Sequence, residues 1–201
     1  VVDAIFESMS GVTTTGATVL NNLDDLPKGI LIWRAFLQWI GGLGIVVIAL
    51  FILPFLRIGG MQLFHIEGDD PYDKFLPKVS SVIKKIIVIY ILLTLVLFLL
   101  YYTNKMSLFD SIAHSFTTIS TGGFSTHNQS FAFFSNNILL IAILFMIIGS
   151  FPFLLIAQIS FKKNFAIFRD NQIRVFLLIL LFAISTIYIF ANQFLSGNQL
   201  D

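Results

Sequence analysis

The chain has 201 residues, 57% of them hydrophobic and only 11% charged, with a net charge of +1 and a mean hydropathy of +0.90. Soluble domains carry about a quarter of their residues as charges, so most of this surface faces lipid rather than water. The near-neutral charge offers nothing to nucleic acid. The lack of cysteine excludes disulfides and thiolate chemistry.

The chain opens with "VVDAIFESMSGV", which has neither an initiator Met nor the charged-then-apolar pattern of a signal peptide. With its last residues at "NQFLSGNQLD", it reads as a piece of something longer or as one product of a split gene. Residues 1–12 mix apolar side chains with Asp3 and Glu7, too short and too polar to span a bilayer, and fit a re-entrant segment. The turn-like "GVTTTGATVL" follows, with Thr13, Thr14, Thr15 and Gly16 at its centre.

A spanning helix needs roughly 20 mostly apolar residues, and the first such stretch runs from about Gly29 to Leu56. It carries Trp33, Arg34 and Gln38 in its first half. Arg34 and Gln38 are i and i+4 neighbours. Because Arg34 lies about one turn inside the boundary, it is expected to snorkel to the interface, with Trp33 as an anchor beside it. The small residues of "GGLG" at 41–44 and "GGM" at 59–61 suit close helix packing, and no phosphate-binding loop signature is present. The acidic cluster "HIEGDDPYDK", residues 65–74, reads as a solvated loop.

Three further spans are expected at about Val82 to Tyr102, Asn137 to Phe161 and Ile173 to Leu195. Lys and Arg collect on one side of them, with Arg57, Lys74, Lys78, Lys84 and Lys85 before the second span. Lys162, Lys163, Arg169 and Arg174 lie before the fourth. By the positive-inside tendency, the cytoplasmic segments are 57–81 and 162–172, and residues 1–28 and 103–136 lie outside. Between the second and third spans comes "SLFDSIAHSFTT", a second short segment, followed by Ser120, Thr121, Gly122 and Gly123.

Sliding the sequence by 107 positions lays "VDAIFESMSGVTTTGAT" over "FDSIAHSFTTISTGGFS" without a gap. Asp3 then meets Asp110, Ser8 meets Ser115, Gly16 meets Gly123, and Gly42 meets Gly149. The repeating unit is a short helix, a hydroxyl-and-glycine turn and a spanning helix. Internal repeats of this kind mark transporters whose sites lie at repeat interfaces. Irregular backbone is tolerated at membrane depth only where it is buried in protein or lines a wet cavity. An extended Thr-Thr-Gly or Ser-Thr-Gly-Gly segment presents carbonyl oxygens to one side, as in filters that replace an ion's hydration shell. A serine- and threonine-rich turn of no special function is the alternative, and the duplication favours the filter.

The stretches "FESMSGVTTTGATVL", "LQWIGGLGIVVIALFILPFLRIGGMQLF", "DSIAHSFTTISTGGFSTHNQSFAFF" and "FRDNQIRVFL" resemble the membrane subunit of Trk-type bacterial potassium uptake systems, related to the Ktr and fungal Trk transporters. The resemblance implies an all-α membrane protein of helix–pore loop–helix repeats, like a potassium channel folded from one chain. Here it would supply about four transmembrane helices and two re-entrant pore segments, an incomplete pore. Residues 1–56 would be the pore loop and second helix of a first repeat, 82–161 a complete second repeat, and 173–201 the first helix of a third, joined by linkers 57–81 and 162–172. Gly16 and Gly123 match the filter glycines. Carbonyls around Thr13, Thr14, Thr15, Ser120, Thr121 and Gly122 would coordinate K⁺, the transported ion, with no cofactor.

The expected setting is the inner membrane, as part of a homodimer with a nucleotide-binding cytoplasmic regulatory subunit. Third and fourth pore loops are not in the sequence, so an inactive remnant or a non-conducting interaction subunit is the alternative. Glu7 and Asp110 are candidate pore-mouth acids that would concentrate cations, although Asp110 is equally placed to stabilise a helix N-terminus. His114 and His127 lack companion ligand spacing for a metal. No nucleophile–base–acid set is present, so catalysis is not expected.

Overall fold

The computed structural model describes residues 1–56, 71–152 and 171–197. The chain divides into two units, Val1–Ala157 and Gln158–Asp201, and each is described by itself. The first contains helices α1 (Val2–Val12), α2 (Lys28–Leu56), α3 (Pro71–Thr103), α4 (Leu108–Ile119) and α5 (Asn136–Gly149). The second contains α6 (Asn171–Gly197). Among the described residues, three stretches are long and apolar enough to cross a membrane: Lys28–Ile48, Ser80–Thr103 and Asn171–Ala191.

The second predicted span begins earlier than hydropathy suggests, at Pro71, a residue suited to the first position of a helix. The third is helical over 14 residues, Asn136–Gly149. That is about 21 Å, short of the ~30 Å hydrocarbon core. Its predicted continuation from 153 to 161 lies outside the described residues. So do "GGM" at 59–61, most of the acidic cluster, and the parts of the expected linkers 57–81 and 162–172 that fall at 57–70 and 162–170.

In the first unit, α4 is enclosed by α3, α2 and α5, whereas α1 packs chiefly on α2. The core follows from this arrangement. Ile86, Tyr90, Leu97 and Tyr101 on α3 are buried together with Ile119, Ile138 and Ala142. Aromatic contacts join the layers: the Trp39 ring lies 5.3 Å from Phe116 and 5.6 Å from Tyr90. Buried polar tips find partners, as buried aromatics with polar handles must. Trp39 Nε1 donates to Thr94 Oγ1 at 3.1 Å, and Tyr90 Oη donates to the Trp39 carbonyl at 3.0 Å. Tyr101 Oη and Thr118 Oγ1, 2.9 Å apart, pin α4 to α3.

The repeat is visible in the backbone, with one correction. Helices α1 and α4 end at Val12 and Ile119, the expected offset of 107. After the turn the offset becomes 108, because the 3-10 turn has three residues in the first copy (Leu23–Asp25) and four in the second (Ser130–Phe133). The glycine pairing shifts with it. A Cβ on Gly41 would fall on the Val12 carbonyl, and one on Gly149 would press on the Ile119 carbonyl at 2.8 Å. Gly41, not Gly42, is therefore the counterpart of Gly149. Gly42 faces the second copy instead, against Ser120 Cβ and Tyr90 Oη.

Candidate functional site

Each short helix runs into a turn of the same conformation. Thr13 (φ −80°, ψ 0°) and Ser120 (φ −77°, ψ −3°) continue the helical geometry. Thr14 (φ 56°) and Thr121 (φ 55°) then enter the left-handed region, as do Gly16 (φ 76°) and Gly123 (φ 78°). A β-branched residue seldom adopts positive φ. Such backbone costs about 1–3 kcal/mol and collects at functional sites. Here the same strain occurs twice, at equivalent positions.

The amides of both turns point back to the helices. Thr15 N donates to Ser10 O at 3.0 Å, and Gly122 N to Thr117 O at 2.9 Å. Gly16 N and Gly123 N donate to the same two carbonyls at 3.5 and 3.3 Å. With the donors engaged in this way, the carbonyls of residues 13–16 and 120–123 accept no hydrogen bond among the described residues. Thr13, Thr15 and Thr121 are exposed, Thr14, Gly16 and Gly123 half-buried, and only Ser120 and Gly122 buried, so most of these free oxygens belong to accessible residues, open to a ligand rather than sealed in the core. The two turns also touch: a Cβ on Gly16 would fall on the carbonyl oxygen of Gly122.

Behind the turns, the two copies use one plan with different side chains. Glu7 and His114, equivalent at an offset of 107, each hold the hydroxyl two residues beyond the turn glycine. Glu7 Oε1 accepts from Thr18 Oγ1 at 2.6 Å and from the amide of Val19 at 2.7 Å. His114 Nδ1 lies 2.9 Å from the Asp110 carbonyl, so that nitrogen carries the proton. Its Nε2, 3.0 Å from Ser125 Oγ, is then an acceptor. Both ring nitrogens are thereby engaged, and the described residues hold no group of His, Cys, Asp or Glu arranged for a metal.

Two sequence expectations are corrected. Arg34 does not snorkel. It is 3% exposed, and its Nε forms an ion pair with Glu7 Oε2 at 2.9 Å. Glu7, 6% exposed, is therefore not an acid free at the mouth. The apolar position of Arg34 in the sequence concealed a carboxylate brought to it by the fold. Trp33, by contrast, is exposed as an anchor would be. Asp3 is exposed in the first turn of α1.

Asp110 caps α4. Its amide donates to Ser107 Oγ at 3.1 Å, Ser107 Oγ donates to its Oδ2 at 2.7 Å, and Thr126 Oγ1 donates to its Oδ1 at 2.6 Å. Gln38, which is fully buried, accepts from the amide of Phe124 at 3.1 Å. Thr18, Phe124 and Ser125 were missed as site residues. The 107-residue register already lays Thr18 on Ser125, which was the available signal for that pair; it gives none for Phe124, which it lays opposite Ala17.

An outer clasp joins the copies. The His127 ring donates to Asp24 Oδ1, and Asn128 Nδ2 donates to Asp24 Oδ2 at 2.9 Å. Asn128 Oδ1 accepts from the Leu23 amide at 2.9 Å. The ring hydrogen bond from His127, followed by that from the Asn128 amide, holds the Asp24 carboxyl below its ordinary value of 3.8. A carboxyl lowered by folding stabilises the folded state fully above its unfolded pKa, and that contribution is lost as pH falls through the folded value. Thermal unfolding in detergent is thus expected to shift to lower temperature as the pH drops below about 4. Asp24→Asn should flatten that acid limb; an unaltered limb would remove Asp24 from the clasp.

Fold and site together define a helical membrane protein with a duplicated short helix and turn whose carbonyls at 13–16 and 120–123 accept no hydrogen bond among the described residues. Comparison with known proteins then places it. The cation transport protein family TrkH matches residues 1–201, and the chain belongs to that family. It is 40% identical over 184 residues to "Trk system potassium uptake protein TrkI" of Halomonas elongata, covering 90% of this chain and 37% of that protein. Identity to the TrkH potassium uptake protein of Vibrio parahaemolyticus is 46% over 176 residues, covering 86% and 35%. The crystal structure of the potassium transporter TrkH from Vibrio parahaemolyticus superposes with a TM-score of 0.75 at 40% identity, covering 90% of this chain and 37% of that one. The chain thus spans a little over a third of the length of these relatives.

Proposed function

We propose that this chain supplies two filter segments of a potassium uptake pore in the inner membrane. The observation that carries the reading is the pair of matching turns whose amides are engaged and whose carbonyls at residues 13–16 and 120–123 are free. Oxygens arranged in this way replace the water around a monovalent cation. Potassium is the ion named for the relatives.

Residues 1–56 act as pore loop and second helix of one repeat, 82–161 as a second repeat, and 173–201 as the opening helix of a third. Residues 1–28 and 103–136 face outward, and the basic segments 57–81 and 162–172 face the cytoplasm, in keeping with their charge. No catalytic step enters this reading. Assembly as a homodimer with a nucleotide-binding regulatory subunit rests on the resemblance alone.

The test is Gly123→Ser in the protein expressed from its complete gene, in cells lacking other K⁺ uptake. Gly123 has open space around its Cβ position but φ +78°, so the substitution alters the turn rather than the packing. Left-handed backbone is unfavourable by about 1–2 kcal/mol for a residue with a Cβ. K⁺ over Na⁺ uptake is expected to fall about tenfold, 1.4 kcal/mol being one order of magnitude. Unchanged selectivity would overturn the filter assignment; no potassium uptake at all from the native protein would favour the alternative, a non-conducting membrane subunit left from a split transporter gene.

A further inference from the structure

We propose that Arg34 and Gln38, one turn apart on α2, are positioning residues that set the selectivity of both filter segments at once; this rests on the filter reading above. Three directions of the Arg34 guanidinium are in use. Nε bonds Glu7 Oε2 at 2.9 Å and Nη2 bonds Thr18 Oγ1 at 3.0 Å, both in the first copy. Nη1 donates to the Ser125 carbonyl at 3.4 Å, in the second. The guanidinium carbon also stands 4.1 Å over the Phe124 ring. A planar fork with five donors can hold several partners at fixed angles, which a lysine cannot.

Gln38 completes the arrangement one turn further along. Its Oε1 accepts from the amide of Phe124, the residue immediately after Gly123. Its side chain occupies the place of a Cβ on Gly122, and its Nε2 comes within 3.7 Å of the Cβ position of Gly16. That nitrogen is buried and has no hydrogen-bond partner among the described residues. The amide is therefore wedged between the two segments, and the chain just beyond each turn glycine is tied to the same helical turn of α2. A displacement of this turn moves both rows of carbonyls together. The positive charge is balanced by Glu7 within the wall, so the pair does not set up a barrier to cations.

An ion pair that merely held the fold would show in abundance but not in ion preference. Four variants of the protein expressed from its complete gene separate these roles: Arg34→Gln, Glu7→Gln with Arg34→Gln, Gln38→Met, and Gly123→Ser as control. Membrane abundance and the K⁺/Na⁺ uptake ratio are measured for each. Arg34→Gln leaves Glu7 buried without its partner, and abundance should fall. The double variant removes both charges, so abundance should recover while the uptake ratio stays about tenfold or more below the native one. Gln38→Met, of similar volume, should lower the ratio in the same way, and it decides the question if the double variant remains scarce.

A native ratio in the double variant at native abundance, or in Gln38→Met, overturns the proposal. If that happens while Gly123→Ser loses selectivity, the filter reading stands and only the role of α2 fails. A native ratio in Gly123→Ser overturns both.

Discussion

Gly16→Ala is expected to abolish potassium selectivity and to lower the amount of folded protein, whereas Gly123→Ala should impair selectivity with little loss of protein. Both glycines have φ near +77° (76° and 78°), so both substitutions carry the left-handed penalty of about 1–2 kcal/mol. Their surroundings differ. The Cβ position of Gly123 has nothing within 4 Å, while that of Gly16 lies 1.9 Å from the carbonyl oxygen of Gly122. Backbone cannot rotate away as a flexible side chain can, and overpacking of this kind adds about 1–3 kcal/mol. The sum for Gly16 is roughly 2–5 kcal/mol, a large fraction of the about 5–15 kcal/mol that keeps a domain folded. Ion uptake read beside membrane abundance checks both halves. Equal abundance for the two variants would show that the two turns do not touch as described.

Gly41→Ala is expected to be nearly as damaging, although Gly41 lies in the middle of α2, away from the turns. On helix propensity alone the change should help by about 0.8–1.0 kcal/mol. Packing opposes it, because the added Cβ would fall on the Val12 carbonyl at the end of α1. Either α2 retreats or the last turn of α1 opens, and the first of the two strained turns starts at the next residue. The neighbouring Gly44 is the control, with nothing within 4 Å of its Cβ position. Gly44→Ala should raise the unfolding temperature in detergent by a few degrees, and Gly41→Ala should lower it. If both variants were stabilised, α1 and α2 would not be in backbone contact at Gly41.

Much of this protein was readable from local chemistry. Hydropathy placed α2 within a residue of its predicted start, and the low charge content identified lipid as the solvent. The 107-residue repeat aligned the ends of α1 and α4 and the two glycines with positive φ, because a turn's backbone angles depend on a few adjacent residues. The same alignment went wrong by one residue beyond the turn, where the second 3-10 turn is longer. Composition carries no record of such an insertion.

What the sequence by itself determined is therefore the class of protein, three of its four expected spans, its duplication and the position of its strained turns, all set by hydropathy and short-range sterics. Only the tertiary structure decided what the polar residues do. Arg34 meets Glu7 across 27 positions and Ser125 across 91. Gln38 meets Phe124 across 86, and His127 meets Asp24 across 103. Read alone, an arginine one turn inside a span has an inexpensive way out to the interface. Once α1 and α4 fold back on α2, that route is closed, and a buried charge must find its counterion within the wall.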